Sequence, residues 1–171
     1  LPGRRGEDSG FSRKIHRDGR CGEASGFGGR TEVPAAYTSP VSEGLAVLGC
    51  GKIGEILAAG LLASGWRTAD QIIATDRVPE RVVELADRYG IRATTSNLEA
   101  VREARILLIA VKPTDVDALL AEVAAEVTPA KLVISVAAAI STSFIERRLA
   151  PEVPVVRAMP NAPAQVGAGI A

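Results

Sequence analysis

The residues with the clearest chemical meaning are three glycines. Gly49-Cys50-Gly51-Lys52-Ile53-Gly54 has the spacing G-x-G-x-x-G, follows the apolar run Leu45–Leu48 and opens a helical run from Gly51 to Ser64 that Gly65 closes. Asp76 ends the next apolar run, about twenty positions beyond the last glycine of the motif. In this context the motif reads as a dinucleotide site. Gly49 permits the tight turn, Gly51 leaves room for a pyrophosphate to approach the backbone, and Gly54 lets the helix pack closely on the strand. The N–H groups at the start of the helix receive the phosphate charge. A phosphoryl-transfer P-loop is excluded, because Lys52 is followed by Ile53 rather than Ser or Thr.

Asp76-Arg77 sends a mixed signal on cofactor choice. A carboxylate there hydrogen-bonds both ribose hydroxyls and repels a 2′-phosphate, favouring NAD, whereas an arginine pairs with that phosphate and favours NADP. Three further segments fall at the C-terminal ends of apolar runs, where open α/β sheets bind ligands. They are Val111-Lys112-Pro113, Val136-Ala137-Ala138-Ala139 and Met159-Pro160-Asn161. The small residues of the second would let a nicotinamide ring approach the backbone. Lys112 could contact phosphate or ribose, and Asn161 could orient a carboxamide or substrate. Cys50 is expected to present its backbone only, with a thiol pKa lowered by the helix N-terminus. No residue in this region stands out as a general acid or base.

The elements that must position these residues are legible from residue 44 onward. Leu45–Leu48, Ile72–Thr75, Ile91–Thr94, Ile106–Val111, Leu132–Val136 and Val153–Val156 read as strands. Between them, helices are predicted over Gly51–Ser64, Pro79–Tyr89, a short segment opened by Ser96, Asp115–Val127 and Thr142–Leu149. Pro79 suits a first helical position, Gly90 suits a helix end, and Ser96-Asn97-Leu98-Glu99 has capping-box spacing. Apolar strands alternating with helices imply a doubly wound α/β domain of Rossmann type, with a parallel sheet covered on both faces. Residues 1–43 differ: they hold eight of the 17 glycines and show no apolar periodicity, so they read as a disordered or non-native extension. The chain starts at Leu1 and stops within Gly167-Ala168-Gly169-Ile170-Ala171, as a stretch cut from a longer protein would.

Composition narrows the chemistry. Of 171 residues, 47% are hydrophobic and 23% charged, which suits a globular chain. The 20 basic residues balance the 20 acidic ones, so charge makes no case for nucleic acid or an anionic membrane as partner. The longest apolar stretch, Leu132–Ile140, falls short of a membrane span, and nothing near Leu1 resembles a secretory signal. Two cysteines, Cys21 and Cys50, are too few for a disulfide scaffold, so a cytoplasmic location is expected. The one histidine is His16, which leaves the region after residue 43 without the imidazole that triad hydrolases and histidine-based zinc sites need. No metal is expected.

In this order and at these spacings, the segments resemble the N-terminal domain of the pyrroline-5-carboxylate reductase family. The resemblance runs from about Leu45 to Ala171. It rests on the glycine loop, Ala110-Val111-Lys112-Pro113, Ser135-Val136-Ala137-Ala138-Ala139-Ile140 and Val156-Arg157-Ala158-Met159-Pro160-Asn161-Ala162-Pro163. It implies hydride transfer from NADPH or NADH to the C=N bond of 1-pyrroline-5-carboxylate, giving L-proline, in a protein that forms homo-oligomers at full length. The glycine loop from Gly49 to Gly54 would hold the pyrophosphate and Asp76-Arg77 would face the adenosine ribose. Asn97, Val111, Lys112, Pro113 and Ala138 would line the rest of the cofactor site. Two departures stand out. Ala139 replaces the glycine the family usually has after two alanines, and the family's helical C-terminal domain, which dimerises and binds substrate, is missing. The domain at 44–171 would then bind cofactor without turning over substrate. The alternatives are another NAD(P)-dependent dehydrogenase with the same β-α-β start, such as a prephenate or hydroxy-acid dehydrogenase, and a non-catalytic NAD(P)-binding module.

Overall fold

The computed structural model describes residues 44–160. Residues 1–43, and with them the expected disordered extension, lie outside the described residues, as does Asn161. Six parallel strands form one sheet: β1 Leu45–Leu48, β2 Ile72–Thr75, β3 Arg92–Thr94, β4 Ile106–Ile109, β5 Leu132–Ser135 and β6 Val155–Arg157. Their spatial order is β3-β2-β1-β4-β5-β6. The chain therefore builds outward in one direction, crosses back, and builds outward in the other, with the switch point between β1 and β4. The helices are α1 Lys52–Ala63, α2 Pro79–Tyr89, α3 Asn97–Glu103, α4 Val116–Val123 and α5 Thr142–Glu146. This is the doubly wound Rossmann-type fold that the alternating pattern predicts.

Period-two alternation divides each strand between two cores. Ala46, Leu48, Ile73, Leu107, Ile109 and Val133 pack against α3, α4 and α5. Leu45, Val47, Ile72, Ala74 and Leu108 pack on the opposite face with Ala58 of α1 and Leu85 of α2. Among the described residues, coverage of that second face is incomplete at β5 and β6, contrary to expectation. Both of its helices follow β1 and β2, so Ile134 of β5 is only half-buried and its register partner Val156 of β6 is 48% exposed.

Element ends differ from the sequence expectation for local reasons. β4 stops at Ile109 because its partners β1 and β5 stop at Leu48 and Ser135 in the same register. Helix α4 is shorter than Asp115–Val127, flanked by 3-10 turns at Pro113–Asp115 and Ala124–Glu126. β6 starts two residues late, and Pro154, which has no N–H to donate, contributes only its carbonyl to Val133 N–H at 3.0 Å. The capping box at Ser96 is half made. Ser96 Oγ accepts the Glu99 N–H at 3.2 Å, while the Glu99 carboxylate takes the Thr94 hydroxyl instead, at 2.8 Å. Thr94 Oγ1 in turn accepts the Ser96 N–H at 3.2 Å.

Two positions store or relieve strain. Ala139, in the turn after β5, has φ 61°, the left-handed region where an alanine costs roughly 1 kcal/mol or more. At the other end of the sheet, the Lys131 ammonium donates to the carbonyls of Val101 at 2.7 Å and Ala104 at 2.6 Å, closing α3 with a cation at its C-terminal dipole. Among the described residues, no helix is long and apolar enough to cross a membrane, and no cluster of candidate metal ligands occurs. Replacing Lys131 by Met is expected to lower stability by roughly 1–3 kcal/mol, because two carbonyls lose charged donors. Urea denaturation of the two proteins measures the difference.

Candidate dinucleotide-binding site

Three glycines at one strand end have three different jobs. Gly49 has φ 83°, and a Cβ there would lie 2.4 Å from Val111 Cγ1. A Cβ on Gly54 would lie 2.6 Å from the Gly49 carbonyl oxygen. Both are glycines because the fold leaves no space. Gly51 is different: its φ of −69° is ordinary, and a Cβ would meet nothing within 4 Å. It caps α1 without a side-chain hydrogen bond, so the first N–H groups of α1 have no partner within the helix. Gly51 thus faces open space at a helix N-terminus, the geometry an approaching phosphate requires.

The loop is tied down from β2. Cys50 N–H donates to the Thr75 carbonyl at 2.6 Å, and Gly49 N–H donates to the Thr75 hydroxyl oxygen at 3.1 Å. That hydroxyl donates onward to Asn97 Oδ1 at 2.7 Å, and Asn97 Nδ2 donates to Glu122 Oε2 at 3.0 Å. The chain of bonds joins the glycine loop, the start of α3 and the body of α4.

A cavity of about 510 Å³ opens at the C-terminal ends of β1, β2 and β4. Gly49, Gly51, Asp76, Arg77, Asn97, Val111 and Lys112, all singled out in the sequence, line it. Asp76 Oδ1 accepts the Val78 N–H at 3.0 Å, which holds the turn into α2. Arg77 reaches out from that turn, its side chain 78% exposed and 3.7 Å from the Asp115 carboxylate. The remaining candidates lie outside the lining. Cys50 and Gly54 are buried in the packing of the loop, and Lys52 and Ile53 are exposed on the first turn of α1. Pro113 opens a 3-10 turn, and Ala138 is exposed after β5.

The thiol of Cys50 corrects one expectation. Burial, its largest influence, followed by the nearby Glu55 charge, pushes its pKa up to about 12 rather than down. The side chain points into the second core rather than at the N–H groups of α1.

Sequence reasoning missed Thr75, Arg81, Asp115, Ala118, Leu119 and Glu122, which line the cavity as well, together with Val78 and Ala110. The signal for Thr75 was a polar residue at the end of an apolar run. The α4 residues carried a weaker one, since 118, 119 and 122 fall on one helical face. Arg81 also belongs to a clamp between helices. The Glu55 carboxylate, in the first turn of α1, accepts from Arg81 at 2.7 Å, Arg88 at 2.8 Å and the Tyr89 hydroxyl at 2.9 Å. Arg81 pairs with Glu84 as well. The Arg81 hydrogen bond, chiefly, holds the Glu55 carboxyl below the usual glutamate range.

A family model described as NADP oxidoreductase coenzyme F420-dependent matches residues 44–139. The chain belongs to this family. A pyrroline-5-carboxylate reductase of Mycobacterium leprae is 40% identical over 131 residues, covering 74% of this chain and 44% of that protein. A solved pyrroline-5-carboxylate reductase from Coxiella burnetii is 29% identical with a TM-score of 0.71, covering 75% of this chain and 47% of that one. A Plasmodium falciparum pyrroline carboxylate reductase, solved with NADP bound, is 24% identical with a TM-score of 0.65 and supports the fold alone; it covers 75% of this chain and 46% of that one. The resemblance read from the glycine loop and the Val-Lys-Pro segment is to the same enzymes. The chain spans under half the length of these relatives.

The Glu55 clamp has a pH signature. A carboxyl whose folded pKa is depressed adds stability above its unfolded value, about 4.3, and loses it as pH falls through the lower folded value. Glu55→Gln is expected to cost roughly 1–2 kcal/mol at neutral pH. The difference from the parent protein should shrink as pH drops below about 4. Thermal melts at both pH values test this.

Proposed function

We propose that this chain is the cofactor-binding part of a pyrroline-5-carboxylate reductase that uses NADPH, with NADH as the weaker alternative. The observation that carries the reading is the 40% identity over 131 residues to an enzyme of that name. The reaction adds hydride to the imine carbon of 1-pyrroline-5-carboxylate and a proton to its nitrogen, giving L-proline. When bound, the reduced nicotinamide supplies the hydride. The work of this chain is to hold and orient: no side chain among the described residues is assigned the proton.

The fit to a dinucleotide rests on Gly51, the one glycine of the loop that the protein's own packing does not demand. In this reading Gly51 and the N-terminal N–H groups of α1 take the pyrophosphate. Asp76 takes a ribose hydroxyl with the carboxylate oxygen that Val78 leaves free, and Arg77 pairs with a 2′-phosphate. Val111 and Lys112 line the cleft, and Ala138 would meet the nicotinamide. The active protein is a cytoplasmic homo-oligomer.

Three measurements test this. Intact protein is expected to oxidise NADPH in the presence of 1-pyrroline-5-carboxylate, whereas turnover of a hydroxy acid instead would overturn the substrate assignment. Gly51→Val is expected to weaken NADPH binding at least roughly tenfold, about 1.4 kcal/mol, with a melting temperature unchanged to within about 3 °C. Arg77→Ala is expected to weaken NADPH binding by roughly tenfold or more through loss of a charged hydrogen bond while sparing NADH. Equal losses for both cofactors would remove Arg77 from the phosphate site.

A further inference from the structure

The cleft has three chemically distinct stretches. Gly49 and Gly51 offer backbone, Asp76, Arg77 and Arg81 offer charge, and Val111, Ala118 and Leu119 offer an apolar wall. Phosphates suit the first and a ribose with its phosphate suits the second. The apolar wall suits a flat, uncharged group, and beside it stands a hydrogen-bonded pair, Asn97 and Glu122.

The polarity of that pair is set from the glycine loop. Gly49 N–H can only donate, and it occupies the oxygen of Thr75 at 3.1 Å. Thr75 is 1% exposed and directs its single hydroxyl hydrogen to Asn97 Oδ1 at 2.7 Å. The Asn97 amide is thereby oriented, with its oxygen toward Thr75 and its nitrogen toward Glu122. After these bonds, Asn97 keeps one N–H to donate and Glu122 keeps one carboxylate oxygen to accept. A donor and an acceptor side by side, next to an apolar wall, complement the amino edge of adenine. That edge carries the N6 amino donor beside a ring-nitrogen acceptor.

We infer that Asn97 and Glu122 read the adenine base of the bound dinucleotide, Glu122 accepting from the N6 amino group and Asn97 donating to the neighbouring ring nitrogen. This rests on the dinucleotide reading above and adds a base-specific contact to it. Hypoxanthine replaces the amino group by a carbonyl oxygen. That exchange leaves Glu122 without its donor and sets oxygen against oxygen.

The test compares NADPH with reduced nicotinamide hypoxanthine dinucleotide phosphate, each titrated calorimetrically into the full chain. The analogue is expected to bind at least roughly tenfold more weakly. In Glu122→Gln, whose amide can turn to donate to the carbonyl oxygen, the gap is expected to close to within about threefold. Equal affinities in the parent protein would overturn the base-reading pair while leaving dinucleotide binding intact. A full gap retained by Glu122→Gln would overturn the role of Glu122. Binding of neither nucleotide would remove the dinucleotide reading and this inference with it.

Discussion

At the top of β2 the Thr75 side chain is sealed from water, with the Gly49 N–H on one side of its oxygen and the Asn97 carbonyl on the other. Its own backbone carbonyl takes the Cys50 N–H. One residue therefore fixes the glycine loop through both main chain and side chain, and passes the constraint to α3. Each such bond is worth only about 1 kcal/mol net, but a buried donor left without its partner costs more than the bond supplied. The loop, the cleft and the first residue of α3 depend on that hydroxyl being present and turned one way. A valine at this position would keep the shape of the strand and lose the orientation of everything above it.

Charge bridges do a related job farther out. Glu55 draws Arg81, Arg88 and Tyr89 of α2 onto the first turn of α1, so the helix that faces the cleft cannot shift independently of its neighbour. Lys131 holds the far end of α3. The bridges matter because α1 buries few side chains fully, Gly54 and Ala58 being those it sinks into the core. A helix with so shallow a seat needs a lateral hold.

The fold was readable because its signals were periodic and redundant. Fully buried strands such as Leu45–Leu48 and Ile72–Thr75 show as unbroken apolar runs. Pro79 and Gly90 mark the ends of α2, where Gly90 adopts φ 65°. Glycine spacing likewise exposed the loop and half of the cleft. Part of the rest came from α4, whose Ala118, Leu119 and Glu122 reach the cavity because α3 and α4 pack together. Nothing local to those residues encodes that meeting. Glu99 shows the same limit on a smaller scale: capping-box spacing was present, but Thr94 across the turn competed for the carboxylate and won. Among the described residues no helix covers β6 on the second face, and an apolar strand looks identical in sequence whether a helix of the same domain covers it or not.

Cys50 lies in the middle of the glycine loop, yet its sulfur is sealed in the core with a pKa pushed up to about 12. Thiolates at accessible surfaces attack peroxides and disulfides, and this sulfur is neither ionised nor accessible. The loop thus contains a cysteine without containing a redox sensor. Oxidant that would alter a surface thiol does not reach this one, and the glycine turn keeps its geometry.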